Sequence, residues 1–158
     1  MRESCPSLLE CYNVGVDTVS PAKRSSMMSA VRSKNTGAEL LVRRYLWSQG
    51  IRYRLYVKDL PGKPDIVIRR CRLVIFIHGC FWHGHEGCPR GRIPKSRVEY
   101  WKPKIEANKA RDKQTEKQLA ALGWKRLVIW DCQLRTQKAA MISLPKIRDK
   151  VMKICSKS

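Results

Sequence analysis

Acidic side chains are scarce in this chain. Thirteen Asp and Glu face 33 Lys and Arg, giving a formal charge of +20, far more than solubility alone favours. The imbalance implies a polyanionic partner, since each neutralised phosphate releases condensed counterions and the binding depends steeply on salt. Charge sign does not separate DNA from RNA, and on charge alone a ribosomal or chromatin protein ranks above an enzyme. No run of about 18 apolar residues exists, which excludes a membrane-spanning helix. Residues 1–19 also lack the basic start and apolar run of a secretory signal, so the expected location is cytoplasmic. No internal repeat is present, which excludes a solenoid. A chain of 158 residues has room for one ordinary domain with a core.

Seven cysteines in a reducing compartment argue against a disulfide framework and direct attention to metal binding or burial. Cys5, Cys11, Cys71 and Cys155 are scattered, and free buried thiols are expected for all four.

Residues 1–19 carry neither helical nor strand periodicity and read as a loose extension, leaving 20–158 as a single domain. Ser20 before Pro21 has the form of an N-cap followed by a first-turn proline, opening a short basic helix through about residue 31. Thr36-x-x-Glu39 has capping-box spacing. Ala38, Leu41, Val42, Tyr45 and Leu46 follow at helical intervals, up to Gly50. Ile51, Tyr53 and Leu55 alternate as a half-exposed strand would. The apolar runs 65–68 and 73–77, joined by a basic turn, predict two antiparallel strands. A long polar helix or helix pair is expected over 98–122, then a strand over 127–130 and a last short helix over 144–155. A strand, a long crossover and a further apolar strand imply that 73–77 and 127–130 run parallel, with their C-terminal ends together.

All three histidines lie within eight residues, in His78-Gly79-Cys80-Phe81-Trp82-His83-Gly84-His85-Glu86-Gly87-Cys88. Cys80, His85 and Cys88 offer three of the four thiolate or imidazole ligands that zinc takes in a tetrahedron. Cys132, two residues beyond strand 127–130, arrives at the same sheet edge if the strands are parallel neighbours. A structural Zn2+ site follows. His78 and His83 remain over, either as supports of the metal loop, as exposed side chains, or as catalysts. Pro64-Asp65 places a carboxylate at the edge to which the antiparallel neighbour delivers His78. A carboxylate there can hold magnesium and an imidazole can take a proton from water, whereas an aspartate after Pro-Gly-Lys-Pro also suits turn chemistry.

Thr36-x-x-Glu39, Leu60-Pro61-Gly62-Lys63-Pro64-Asp65, Phe76-x-His78-Gly79-Cys80-Phe81-Trp82-His83, Tyr100-Trp101, Asn108 through Asp112, Leu122-Gly123-Trp124 and Trp130-Asp131-Cys132 together resemble the Vsr-type very-short-patch repair endonucleases. The resemblance covers about residues 20–135. It implies an α/β, restriction-endonuclease-like mixed β-sheet flanked by helices, in which Phe76-Ile77-His78 stands where such folds carry Glu-x-Lys. It further implies a Mg2+-dependent endonuclease that nicks the T-containing strand 5′ of a thymine mispaired with guanine. Asp65 and the backbone carbonyl of Ile77 would hold Mg2+, His83 would be the general base and His78 would assist at the phosphate. Glu39 and Asp112 match acids around that site, although a capping box accounts for the first and an exposed helix pair for the second. Phe81, Trp82 and Trp101 would intercalate beside the mismatch, with core packing the alternative for Trp101. Between His85 and Cys88 the loop has one residue more than the family pattern.

The expected partner is double-stranded DNA with a T·G mismatch, bound by a monomer in the bacterial cytoplasm near the nucleoid, with mismatch-repair proteins as further partners. Rival readings are a restriction-like endonuclease without mismatch selectivity and a non-catalytic zinc module that binds nucleic acid.

Overall fold

The computed structural model describes residues 35–157, together with residues 20, 22, 23 and 26. The expected loose extension lies outside them, as does most of the first basic helix. Of that helix, Ala22, Lys23 and Ser26 are helical, and the Lys23 N–H donates to Ser20 Oγ (3.3 Å) as an N-cap requires.

Helix α1 (Gly37–Ser48) begins where Thr36 Oγ1 accepts the Glu39 N–H. It buries Val42 and Leu46 completely and Ala38 and Tyr45 in part, whereas Leu41, expected in the same stripe, is exposed; the helix stops two residues before Gly50, whose φ is +74°. Strand β1 (Ile66–Ile68) turns through a 3-10 segment (Arg69–Cys71) into β2 (Leu73–His78). Helix α2 (Val98–Ala121) is one continuous helix with Pro103 near its start. It leads into β3 (Lys125–Trp130), after which α3 (Gln137–Ser156) closes the chain.

The sheet has the order β1-β2-β3. β1 is antiparallel to β2, and β2 is parallel to β3 with His78 opposite Trp130. Both strand relations inferred from connection length therefore hold, in a mixed α/β architecture. One face of the sheet packs Ile66, Ile68, Leu73 and Ile75 against α1 and α3. The other places Val67, Val74 and Phe76 with Leu119 of α2. β2 is central and covered on both faces, so its near-continuous apolar run is the pattern that such a strand requires. No helix among the described residues is long and apolar enough to cross a membrane.

Three expectations are corrected. The strand over 51–55 reduces to a single antiparallel bridge, Arg54 to Val67, because Tyr56 turns into the left-handed region (φ 55°) and takes the chain away from β1. The short helix over 144–155 is the second half of α3. Thr136 caps that helix through the Ala139 N–H, and Pro145 is carried inside it, giving up one backbone hydrogen bond. Cys71 and Cys155 are not free thiols. The 3-10 turn and the end of α3 meet with the two Cα atoms 4.9 Å apart, and the residues form a disulfide. Their separation of 84 residues hides the pairing from any reading of local pattern. Cys5 and Cys11 lie outside the described residues.

Candidate active site and metal centre

The C-terminal ends of β2 and β3 open onto a cleft of about 840 Å³ whose lining includes Glu39, Asp65, His78, His83 and Asp112. A sharp approach shapes one wall. A Cβ at Gly62 (φ +76°) would run into the Thr115 methyl, so the Pro61-Gly62 turn can lie against α2 only with glycine there.

Asp65 precedes β1, and its Oδ2 accepts the Ile77 N–H at 2.7 Å across the antiparallel pair. That bond seats the carboxylate against the Ile77 peptide. Burial nevertheless raises the Asp65 pKa to about 6, with the Ile77 hydrogen bond opposing and the Glu39 charge adding to the rise. A half-buried carboxylate whose pKa is raised despite the nearby Arg43 and His83 is a group that a hard cation would stabilise.

Glu39 sits deeper, 4 % exposed. Its carboxylate accepts the Asn35 N–H (3.0 Å) and pairs with Arg43 Nη2 (2.9 Å). The capping expectation therefore holds in part: Thr36 caps and its hydroxyl donates to Glu39 Oε1 (3.1 Å), but the backbone N–H that the Glu39 carboxylate accepts is that of Asn35. Arg43, an equally buried cation, was not anticipated. Its i,i+4 spacing from Glu39 is the sequence signal that points to it.

His83 Nδ1 lies 2.6 Å from Asp112 Oδ2. A carboxylate can only accept, so Nδ1 carries the proton and Nε2 is left as the basic nitrogen. The exposed helix pair expected of Asp112 is not what its carboxylate makes. His78 stacks on His83 with centroids 3.7 Å apart and planes at 13°. Burial lowers the His78 pKa to about 4, with the neighbouring His83 adding to the effect, so His78 is neutral at pH 7. His78, His83 and Asp112 are close enough to suggest a metal group. Stacked rings, however, direct their lone pairs side by side, and 2.6 Å is a hydrogen-bond distance. An acid–base pair describes the geometry better. Lys63, Arg111, Arg126 and Arg135 supply positive charge along the same cleft, and Arg126 also reaches Glu116 (3.3 Å). Sequence reading did not single these four out, because one basic residue among 33 carries no mark of where it will face.

Cys80, His85, Cys88 and Cys132 converge, with their ligand atoms within 4.8 Å of one another. His85 Nδ1 stands 3.3 Å from Cys80 Sγ and 3.6 Å from Cys132 Sγ. A tetrahedral zinc with bonds of roughly 2.0–2.3 Å spaces its ligands by roughly 3.3–3.8 Å, so the donor set fits that ion in type and the two His85 distances fit it in spacing. The additional loop residue does not displace Cys88. A Cβ at Gly91 would strike the His85 backbone carbonyl, so the chain after Cys88 can fold back under His85 only with glycine at that position. Asp131 Oδ1 accepts the Cys80 N–H (3.3 Å), tying the loop to the end of β3.

Phe81, Trp82 and Trp101 form an edge-to-face cluster with centroids 5.1 to 6.1 Å apart. Phe81 and Trp82 are half-buried. Trp101 is 5 % exposed beneath them, and its Nε1–H is buried without a hydrogen-bond partner. It belongs to neither principal core cluster. Asn108 Nδ2 donates to the Trp82 carbonyl (2.9 Å), fixing the loop to α2.

Guanidinium groups, a hydrogen-bonded imidazole–carboxylate pair and a second carboxylate lining one cleft are the side-chain types that phosphodiester hydrolysis uses. Comparison with known proteins narrows that class. A family model described as DNA mismatch endonuclease Vsr matches residues 16–89. The type II nicking enzyme V.XorIIP of Xanthomonas oryzae pv. oryzae is 55 % identical over 133 residues, covering 84 % of this chain and 97 % of that one. The DNA mismatch endonuclease Vsr of Escherichia coli is 40 % identical over 119 residues, covering 75 % of this chain and 76 % of its own. The chain belongs to the Vsr family of DNA mismatch endonucleases.

Proposed function

We propose that this endonuclease nicks the T-containing strand 5′ of a thymine mispaired with guanine, the product of 5-methylcytosine deamination, and so opens very-short-patch repair. The observation that carries the reading is the His83–Asp112 contact facing Asp65 across a basic cleft.

Asp65, with the backbone carbonyl of Ile77, would hold a Mg2+ ion, which supplies Lewis-acid polarisation of the scissile phosphate. Asp112 holds the His83 Nδ1–H, so His83 Nε2 faces the cleft ready to take a proton from the attacking water. His78, kept neutral by burial, stacks on His83 and assists at the phosphate without adding positive charge. Glu39 adds negative potential near Asp65, which the Arg43 charge beside it offsets in part. Lys63, Arg111, Arg126 and Arg135 grip phosphate oxygens, which positions the duplex without reading its bases. Phe81 and Trp82 form the leading edge of a wedge, with Trp101 behind them. Opening a base step costs a few kcal/mol and costs least at a mismatch, so the wedge favours T·G. The buried Trp101 Nε1–H gains an acceptor when the cluster opens onto DNA.

A Zn2+ ion in the Cys80, His85, Cys88 and Cys132 cage would pin the loop that carries Phe81, Trp82 and His83. The fold reading is restriction-endonuclease-like, with residues 20–158 as one domain that acts as a monomer. The expected setting is the bacterial cytoplasm, close to the nucleoid and to mismatch-repair proteins.

Single-turnover nicking of matched and T·G duplexes, with and without Mg2+, tests the reading. Cleavage of the T strand only in the mismatch and only with the metal is expected. Equal cleavage of both duplexes removes the mismatch selectivity, and cleavage of neither removes the catalytic reading.

A further inference from the structure

One aromatic residue touches both halves of the site. Trp130 ends β3 opposite His78 in the parallel ladder. The indole lies flat on the His85 imidazole, with centroids 4.0 Å apart and planes at 4°. It also meets the His78 ring edge to face, with centroids 5.5 Å apart and planes at 76°. His85 belongs to the cysteine cage and His78 stacks on His83. A continuous series of ring contacts thus runs from cage to cleft: His85, Trp130, His78, His83.

The backbone around the indole is held as well. The Trp130 N–H donates to Gln133 Oε1 (3.0 Å), and the neighbouring Asp131 accepts the Cys80 N–H. Trp130 therefore does more than fill space. Its wide flat face holds the plane of the His85 ring, whose Nδ1 is directed at Cys80 and Cys132, and the same ring limits how far His78 can tilt. Ligand imidazoles depend on outer neighbours for orientation, most often hydrogen-bond acceptors whose loss costs roughly 10 to 100-fold in metal affinity or activity, and a stacked ring constrains the same ring plane.

We propose that Trp130 is a positioning residue that couples the zinc cage to the catalytic cleft, by clamping the plane of His85 with its face and the tilt of His78 through the edge-to-face contact. The inference rests on the zinc and His83 readings given above. It assigns Trp130 no contact with DNA.

The test uses full-length, zinc-loaded protein and compares Trp130→Phe, which keeps a ring face, with Trp130→Leu, which does not. Three quantities are followed: the half-time of zinc transfer to a chromogenic chelator, the single-turnover nicking rate on a T·G duplex, and the Kd for that duplex. Trp130→Leu should release zinc and lose nicking rate by roughly 10-fold or more, with Kd within about two-fold of wild type. Trp130→Phe should recover most of both losses. Zinc release or nicking unchanged in Trp130→Leu overturns the coupling, as does equal damage in both variants, which would mark a purely volumetric role. Should the leucine variant fail to fold, Trp130→Met replaces it, filling similar space with a flexible chain. The stack is also read directly in wild-type protein. His85 ring protons beneath the indole should resonate upfield of their ordinary range, and ordinary shifts would overturn the clamp. Wild-type protein isolated without zinc sinks the zinc reading together with the coupling, whereas zinc-loaded wild type with an indifferent Trp130→Leu sinks the coupling alone.

Discussion

Asp112 and His83, 29 residues apart, meet at 2.6 Å through Oδ2 and Nδ1. The contact joins the middle of α2 to the loop after β2, and it decides which imidazole nitrogen is free to accept a proton. His78 cannot substitute for His83. Its Nδ1 is 3.9 Å from the same carboxylate oxygen, and it is more deeply buried.

Asp112→Asn should therefore cripple chemistry more than binding. The amide can present its NH2 to Nδ1 and favour the wrong tautomer, or leave the ring unoriented. Single-turnover nicking is expected to fall roughly 100-fold or more, with duplex affinity within about two-fold. A variant nicking at near wild-type rate would remove His83 as the general base.

Asp65→Asn should abolish nicking and yet stabilise the Mg2+-free fold at neutral pH. Burial raises the Asp65 pKa to about 6 from 3.8, so the folded state favours the protonated acid. That contribution is fully present below the unfolded value and is lost as pH rises through about 6. The variant's gain over wild type should thus grow between about pH 4 and 6 and level off above. Melting midpoints of zinc-loaded protein in Mg2+-free buffer across pH 4.5 to 8 measure it, with a gain of roughly 3 °C or more expected on the plateau. No gain at pH 7.5 would show that the carboxylate is not strained by burial.

Discrimination and general affinity should separate under mutation. Trp82→Ala is expected to lower the nicking preference for T·G over matched duplex, leaving the salt slope of nonspecific binding unchanged, because the slope counts phosphate contacts. Replacing Arg111 and Lys63 with Ala should do the reverse. Kd values across a salt series on both duplexes decide between them, and an unchanged T·G preference in both Trp82→Ala and Phe81→Ala would exclude the wedge.

One zinc per chain should survive gel filtration. Metal analysis by plasma emission checks the stoichiometry, and Cys132→Ser should lower both zinc content and folded yield far more than Cys5→Ser. Folded protein with four reactive thiolate or imidazole groups and no metal would refute the cage.

The Cys71–Cys155 bridge should appear in nonreducing peptide maps. Cys155→Ser should lower stability by about 2–4 kcal/mol under oxidising conditions and have little effect in reductant. Equal losses in both would assign the cost to the packing of Cys155 against the core rather than to the bond.

Local order and connection length carried the sheet a long way. The apolar runs at 65–68, 73–77 and 127–130, with a long polar helix between the last two, sufficed to infer one antiparallel and one parallel pairing, because crossover length and side-chain periodicity are properties of short stretches of chain. The cysteine cage followed from that inference, since parallel neighbours bring Cys80 and Cys132 to one edge. What tertiary structure alone decided were contacts between side chains far apart in sequence and pointing in directions that no periodicity records. Asp112 turns to His83 rather than along its helix, Arg43 neutralises Glu39 inside the wall of the cleft, and Cys155 reaches Cys71. Trp130 could be read from sequence as part of a motif, but not as the ring between two histidines, because that depends on its rotamer and on the register of β2 with β3. Periodicity assigns a residue to a face of an element. Packing selects its neighbour on that face, and the chemistry of this site depends on those neighbours.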